Sequence, residues 1–137
     1  MLSSSATSDE ILALLRDRGL CNTCNIAYFN GDISHIVSGP MMHLRKLENC
    51  EKLKDIATQF LTMPHAVYSQ STKYIYDEIE KIASKASFFP PRTPVSSTIT
   101  GEVVNREDVF NASYIARHAS QPVQFSNALK GGLTYLG

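Results

Sequence analysis

The sequence predicts a mainly α fold with one small β-hairpin: a zinc-stapled helical domain that continues into an extended C-terminal arm. Three observations predict it. Asn30-Gly31 sits between two β-prone runs; apolar residues recur every three or four positions between residues 40 and 87; and three prolines fall within five residues at Pro90, Pro91 and Pro94. The 137 residues divide accordingly into a body over 1–87, holding hairpin and helices, and an arm over 88–137 with one short helix. A chain of this length with 43% apolar and 19% charged residues can bury one core without a second domain.

The first element is a short helix. Ser8 precedes Asp9-Glu10-Ile11-Leu12-Ala13-Leu14-Leu15-Arg16, with acids in the first turn, a cationic end and Gly19 beyond it. Ile26 to Phe29 and Ile33 to Val37 then form the hairpin, with Asn30-Gly31 as a type I′ turn, because those two residues accept positive φ at least cost. Pro40 opens a helix through Leu44, Leu47, Leu53, Ile56, Phe60 and Leu61. Pro64 closes it, and a second helix over about 65–87 buries Ile75, Ile79 and Ile82. The two helices are expected to pair antiparallel. Phe88-Phe89-Pro90-Pro91-Arg92-Thr93-Pro94 breaks helical structure. Val95 to Val104 is β-prone, a short helix runs to about Ala119, and Val123, Phe125, Leu129, Leu133 and Leu136 make the tail apolar.

Thirteen Lys and Arg balance thirteen Asp and Glu, so a mainly electrostatic grip on nucleic acid is disfavoured. The N-terminus has no cationic start followed by an apolar run, and no stretch is long enough for a membrane span. Three cysteines cannot pair completely within one chain, which favours an intracellular, reducing setting: cytoplasm, nucleus or the interior of a virion.

Cys21-Asn22-Thr23-Cys24, His43 and Cys50 form C-x2-C-x18-H-x6-C, a Cys3His set suited to a closed, tetrahedral Zn²⁺ site. His43 and Cys50 lie about 10 Å apart along a straight helix, so the helix has to end or bend near Asn49 for both to reach one ion. Two other readings of the thiols stay open: unliganded core cysteines, and a redox dithiol at Cys21 and Cys24. Strand alternation sends His35 to solvent, His65 sits at a helix start, and His118 closes the last helix. No serine stands in G-x-S-x-G, and Gly131-Gly132 lacks the residues of a phosphate loop.

The order CxxC, hairpin, Pro-led helix, His, six residues, Cys, helix over residues 10–62 resembles the zinc module of the baculoviral inhibitor-of-apoptosis repeat, the BIR domain. The resemblance implies zinc at Cys21, Cys24, His43 and Cys50 and a peptide-binding groove beside the sheet. It departs from the family in a longer spacing between Cys24 and His43 and in having no tryptophan.

These readings predict a non-enzymatic structural or interaction subunit of a larger assembly, such as a virion or multi-subunit complex, whose arm docks on other subunits or on copies of itself. A zinc-finger adaptor for nucleic acid or peptide, using Arg16, Arg18, Arg45, Lys46, Lys52 and Lys54, is the alternative; a small thiol redox protein is the third.

Overall fold

The computed structural model describes residues 1–63 and 70–137. The hairpin is present, formed by β2 (Asn25–Gly31) and β3 (Ser34–Ser38), but its connection is Asp32-Ile33. Gly31 pairs with Ser34, so the Asn-Gly pair ends the strand, and among described non-glycine residues only Asp108 has positive φ. The type I′ turn expected at Asn30-Gly31 is therefore replaced by a connection two residues later.

This hairpin is half of a sheet. Strand β1 (Leu2–Ser4) pairs antiparallel with β3, Leu2 opposite Val37, and on its other side with β4 (Thr58–Phe60), Leu2 opposite Phe60. The spatial order is β2-β3-β1-β4. Helix α1 (Ser8–Asp17) follows β1 and helix α2 (Met41–Glu48) follows β3, giving β1-α1-β2-β3-α2-β4, the split βαβ arrangement of ferredoxin-like folds. The fold is thus α/β and not mainly helical. The expected helix over 40–61 ends at Glu48; a 3-10 turn at Glu51–Leu53 and β4 take its second half. Spacings of three and four among Leu53, Ile56 and Phe60 suit a helix in isolation, but pairing with β1 decides the outcome.

Leu2, Ile11, Leu15, Val37, Leu44 and Leu47 are the almost fully enclosed centre of this lobe, between one sheet face and the two helices. Helix α1 starts one residue earlier than Ser8 implies: Thr7 is the cap, its hydroxyl accepting from Glu10 N at 3.3 Å while Glu10 Oε2 accepts from Thr7 N at 2.8 Å. Thr7→Ala should cost about 1 kcal/mol in urea unfolding. The Thr7 backbone and hydroxyl donors hold the Glu10 carboxyl below its ordinary value. A depressed acid contributes stability above its unfolded value and loses it as pH falls, so the Thr7→Ala deficit should shrink on acidification.

The C-terminal half is not an extended arm. A 3-10 turn (Gln70–Ile75) leads into α3 (Tyr76–Ala83), a short hairpin joins β5 (Val95–Ser96) to β6 (Val103–Val104), and α4 (Ala112–Ser120) and α5 (Phe125–Leu136) follow. Helix α3 packs on α4, with Tyr76 hydroxyl 2.7 Å from Ser113 Oγ, so the expected pairing of two consecutive helices over 40–87 is replaced by this later partner. Ile75 and Ile79 are half-buried and Ile82 is 61% exposed, against the expectation that all three lie in a core. The helix start expected at His65 lies outside the described residues. An extended segment at Val123 joins the two halves, accepting from Phe29 N at 2.9 Å and donating to Ala27 O at 2.8 Å. With this segment and α5 against β2, adjacent residues Ile26 and Ala27 are both buried.

Candidate functional site

The four residues expected to hold zinc fall in one region, between the end of α1 and the two ends of α2, but with separate partners. Cys21 is exposed; Cys24 and Cys50 are buried. The Leu20 carbonyl accepts from both Thr23 N and Cys24 N, a tight turn that points Cys24 inward against Gly39. His43 Nδ1 is engaged with Thr23 Oγ1 at 2.8 Å. Cys50 packs with Leu47 and Leu53, and Arg18 Nη2 donates to its sulfur at 3.1 Å. A guanidinium at that sulfur opposes a second cation there. Among the described residues, no group of three or more His, Cys, Asp or Glu side chains is placed to hold a metal ion. The lobe is held by its apolar core, and the zinc-stapled architecture is not what this chain builds. Burial also pushes the Cys24 thiol above its ordinary value, which works against the thiolate that a redox dithiol needs.

His35, expected at the solvent, is buried in central strand β3: Nδ1 lies 3.0 Å from Ala6 O and the ring meets Phe29 edge to face. His35 stands two residues from Val37 in a regularly paired strand, so alternation places it on the same core-facing side as Val37, and the expectation of a solvent position fails on that count.

A second cluster was not legible in the sequence. Ser97, just after β5, is 1% exposed; its hydroxyl lies 2.9 Å from Tyr114 OH and accepts from Ile99 N and Thr100 N at 3.3 and 3.2 Å. Gly101, at φ +73°, closes this turn, donating its N–H to Ser97 O at 2.8 Å. The Ser/Thr-rich composition of 95–100 with a glycine after it is the only local signal of such a turn. Beside it, Ser96, Thr98, Phe125, Leu129, Leu133 and Leu136 line an apolar groove of about 310 Å³. Four of these side chains, all on α5, stand 48% to 83% exposed. So wide an apolar stripe on one helix has the character of a contact surface.

No family model matches the sequence. The chain is 32% identical over 121 residues to orsellinic acid synthase of Emericella nidulans, and 32% identical over 130 residues to the spectinabilin polyketide synthase system protein NorB of Streptomyces orinoci. These alignments take in 85% and 95% of this chain; in each case it spans about 6% of the relative. Among solved structures it superposes on the acyltransferase domain from the second module of the salinomycin polyketide synthase with TM-score 0.86 and 26% identity, over 97% of this chain and 30% of that one. It also superposes on a malonyl CoA-acyl carrier protein transacylase from Burkholderia pseudomallei, with TM-score 0.85 and 18% identity, over 98% of this chain and 45% of that one.

These findings overturn the BIR resemblance, since the whole described chain, and not residues 10–62 alone, follows a different fold. They also overturn the structural or virion subunit, the zinc-finger adaptor and the thiol redox protein, together with the expectation of a non-enzyme: the similar proteins are synthases and acyl-transferring enzymes. Among the described residues, no helix is long and apolar enough to cross a membrane. The chain has the fold of part of an acyltransferase domain of the kind found in polyketide synthases.

Proposed function

We propose that this chain forms part of an acyl-transfer domain in a polyketide synthase, working with further polypeptide that supplies the rest of the domain. The observation that carries the reading is the superposition of 97% of the chain on 30% of an acyltransferase domain at 26% identity. One feature of the chain supports it: the apolar α5 stripe offers the surface on which the remainder of the domain would pack. The reaction would exchange one thioester for another: the donor C–S bond breaks, a C–S bond to the carrier thiol forms, and the carrier thiol's proton leaves with the donor as its free thiol. The ferredoxin-like lobe would act as one wall of the site, and the partners would be carrier proteins and neighbouring domains of the synthase.

The test is a chimera in which this chain replaces the matched region of the salinomycin acyltransferase domain. A folded chimera that moves an acyl group from acyl-CoA to a carrier protein, while the chain alone does not, is the expected result. A chimera that unfolds in one cooperative transition yet neither transfers nor hydrolyses the acyl group overturns the reading.

A further inference from the structure

A groove of about 680 Å³ runs along the outward side of α2. Met42, Arg45, Lys46 and Asn49 line it at spacings i, i+3, i+4 and i+7, one row along the helix, and Met41 and Arg18 complete it. We propose that this groove is a docking surface for an acidic amphipathic helix of a partner protein.

Charge is the first argument. The chain has zero formal charge, yet three cations and no carboxylate line this groove. The ion pairs among the described residues, Lys52 with Asp17 and Lys130 with Asp32, involve none of the three. Asp17, the acid next to Arg18, gives its direct ion pair to Lys52 and feels Arg18 only as a weaker, unpaired charge, and Glu48 lines the adjoining depression around Cys50 and Lys54. The two arginines are also held in place. Arg45 lies over the Phe60 ring, 5.6 Å from its centre, and Arg18 donates to Cys50 Sγ. Side chains already ordered lose less conformational freedom when a carboxylate arrives.

The methionines decide the kind of acidic partner. Met41 and Met42 are 52% and 65% exposed, a flexible apolar pair that adapts to a partner's apolar side chains. A free phosphate has no use for them. A second copy of this chain would bring cations against cations on the same face, which disfavours self-association there. An amphipathic helix with an apolar stripe flanked by carboxylates satisfies both the methionines and the cations, in the helix-in-groove mode.

The experiment needs no acyl donor, so its result is independent of the chimera's. Fluorescence anisotropy would compare a synthetic amphipathic helix, with a leucine stripe flanked by glutamates, against the same peptide carrying glutamines. The glutamate peptide should bind the intact chain, weaken as salt rises, and lose about tenfold in affinity in Lys46→Glu and in Arg45→Glu. Met42→Ser should weaken it as well. Both charge changes are at exposed positions, and urea unfolding of each variant separates lost binding from lost folding. No binding of the glutamate peptide, equal binding of the glutamine peptide, or unchanged affinity in folded Lys46→Glu overturns the proposal. So does an unstructured single-stranded oligonucleotide that competes at the same residues with higher affinity, since that would mark a general polyanion surface.

Discussion

Truncating Leu44 to Ala should destabilise the chain by about 2–5 kcal/mol, read as a shift of the urea midpoint at unchanged slope. Leu44 lies in the middle of α2 with no exposed surface and packs in the enclosed cluster that also holds Leu2, Ile11 and Leu15. Removing its branched end leaves a cavity whose walls belong to the sheet and both helices, so no single element can move to fill it. Ile82→Ala is the control. The helical periodicity of the sequence places Ile82 in a core, whereas the structure leaves it 61% exposed on α3, and its truncation should cost less than about 0.5 kcal/mol. Equal losses at the two positions would contradict this packing.

Gly39→Ala should be the next most damaging single change, at about 1–3 kcal/mol. A Cβ at this position would overlap Cys24 Sγ and come within 3.0 Å of the Thr23 carbonyl oxygen. The φ of Gly39 is not in the left-handed region, so the cost arises from contact and not from backbone strain. Adding Cys24→Ala removes the sulfur and should restore part of the loss, with the carbonyl contact keeping recovery incomplete. Such coupling is measured by a double-mutant cycle in the same unfolding assay. Strictly additive losses would show that the glycine and the thiol do not meet.

The same pair shows what the sequence could and could not convey. The CxxC turn, the hairpin and the start of α2 are local features, and each was readable: β-prone runs on either side of a glycine, and a proline before a helix. A break near Asn49 was expected only to let His43 and Cys50 share an ion, within a helix otherwise read through to Leu61. The meaning of the cysteines was not local. Cys24 is inward because the loop from Leu20 closes on Gly39, and Cys50 because α2 stops where its next residue faces Leu53; spacing alone fits these facts as well as a shared ion. Strands β1 and β4 are three residues each; β4 has β1 as its partner, fifty-odd positions away in sequence, and β1 lies between β3 and β4. Leu2-Ser3-Ser4 carries no alternation long enough to signal a strand, and Thr58-Gln59-Phe60 sits inside an apolar pattern of helical period. Without that pairing the body reads as helical. The tail misled in a related way: α3 has already ended at Ala83, before Pro90, Pro91 and Pro94, Asn111 caps a new helix through Tyr114 N at 2.8 Å, and the apolar residues after Val123 lie on α5.

The Val123 segment has a consequence for how the chain is made. Residues 1–60 contain every strand of the ferredoxin-like sheet, so this lobe can assemble early during synthesis from the N-terminus. Its outer strand β2 then presents the N–H of Phe29 and the carbonyl of Ala27 along an open edge until Val123, some 95 positions later, is available to take both. An uncovered edge bearing Ile26 and Ala27 can recruit a strand from a neighbouring nascent chain. Val123 is therefore a late-arriving safeguard against aggregation, and polypeptides interrupted before it should precipitate more readily than those interrupted just after it.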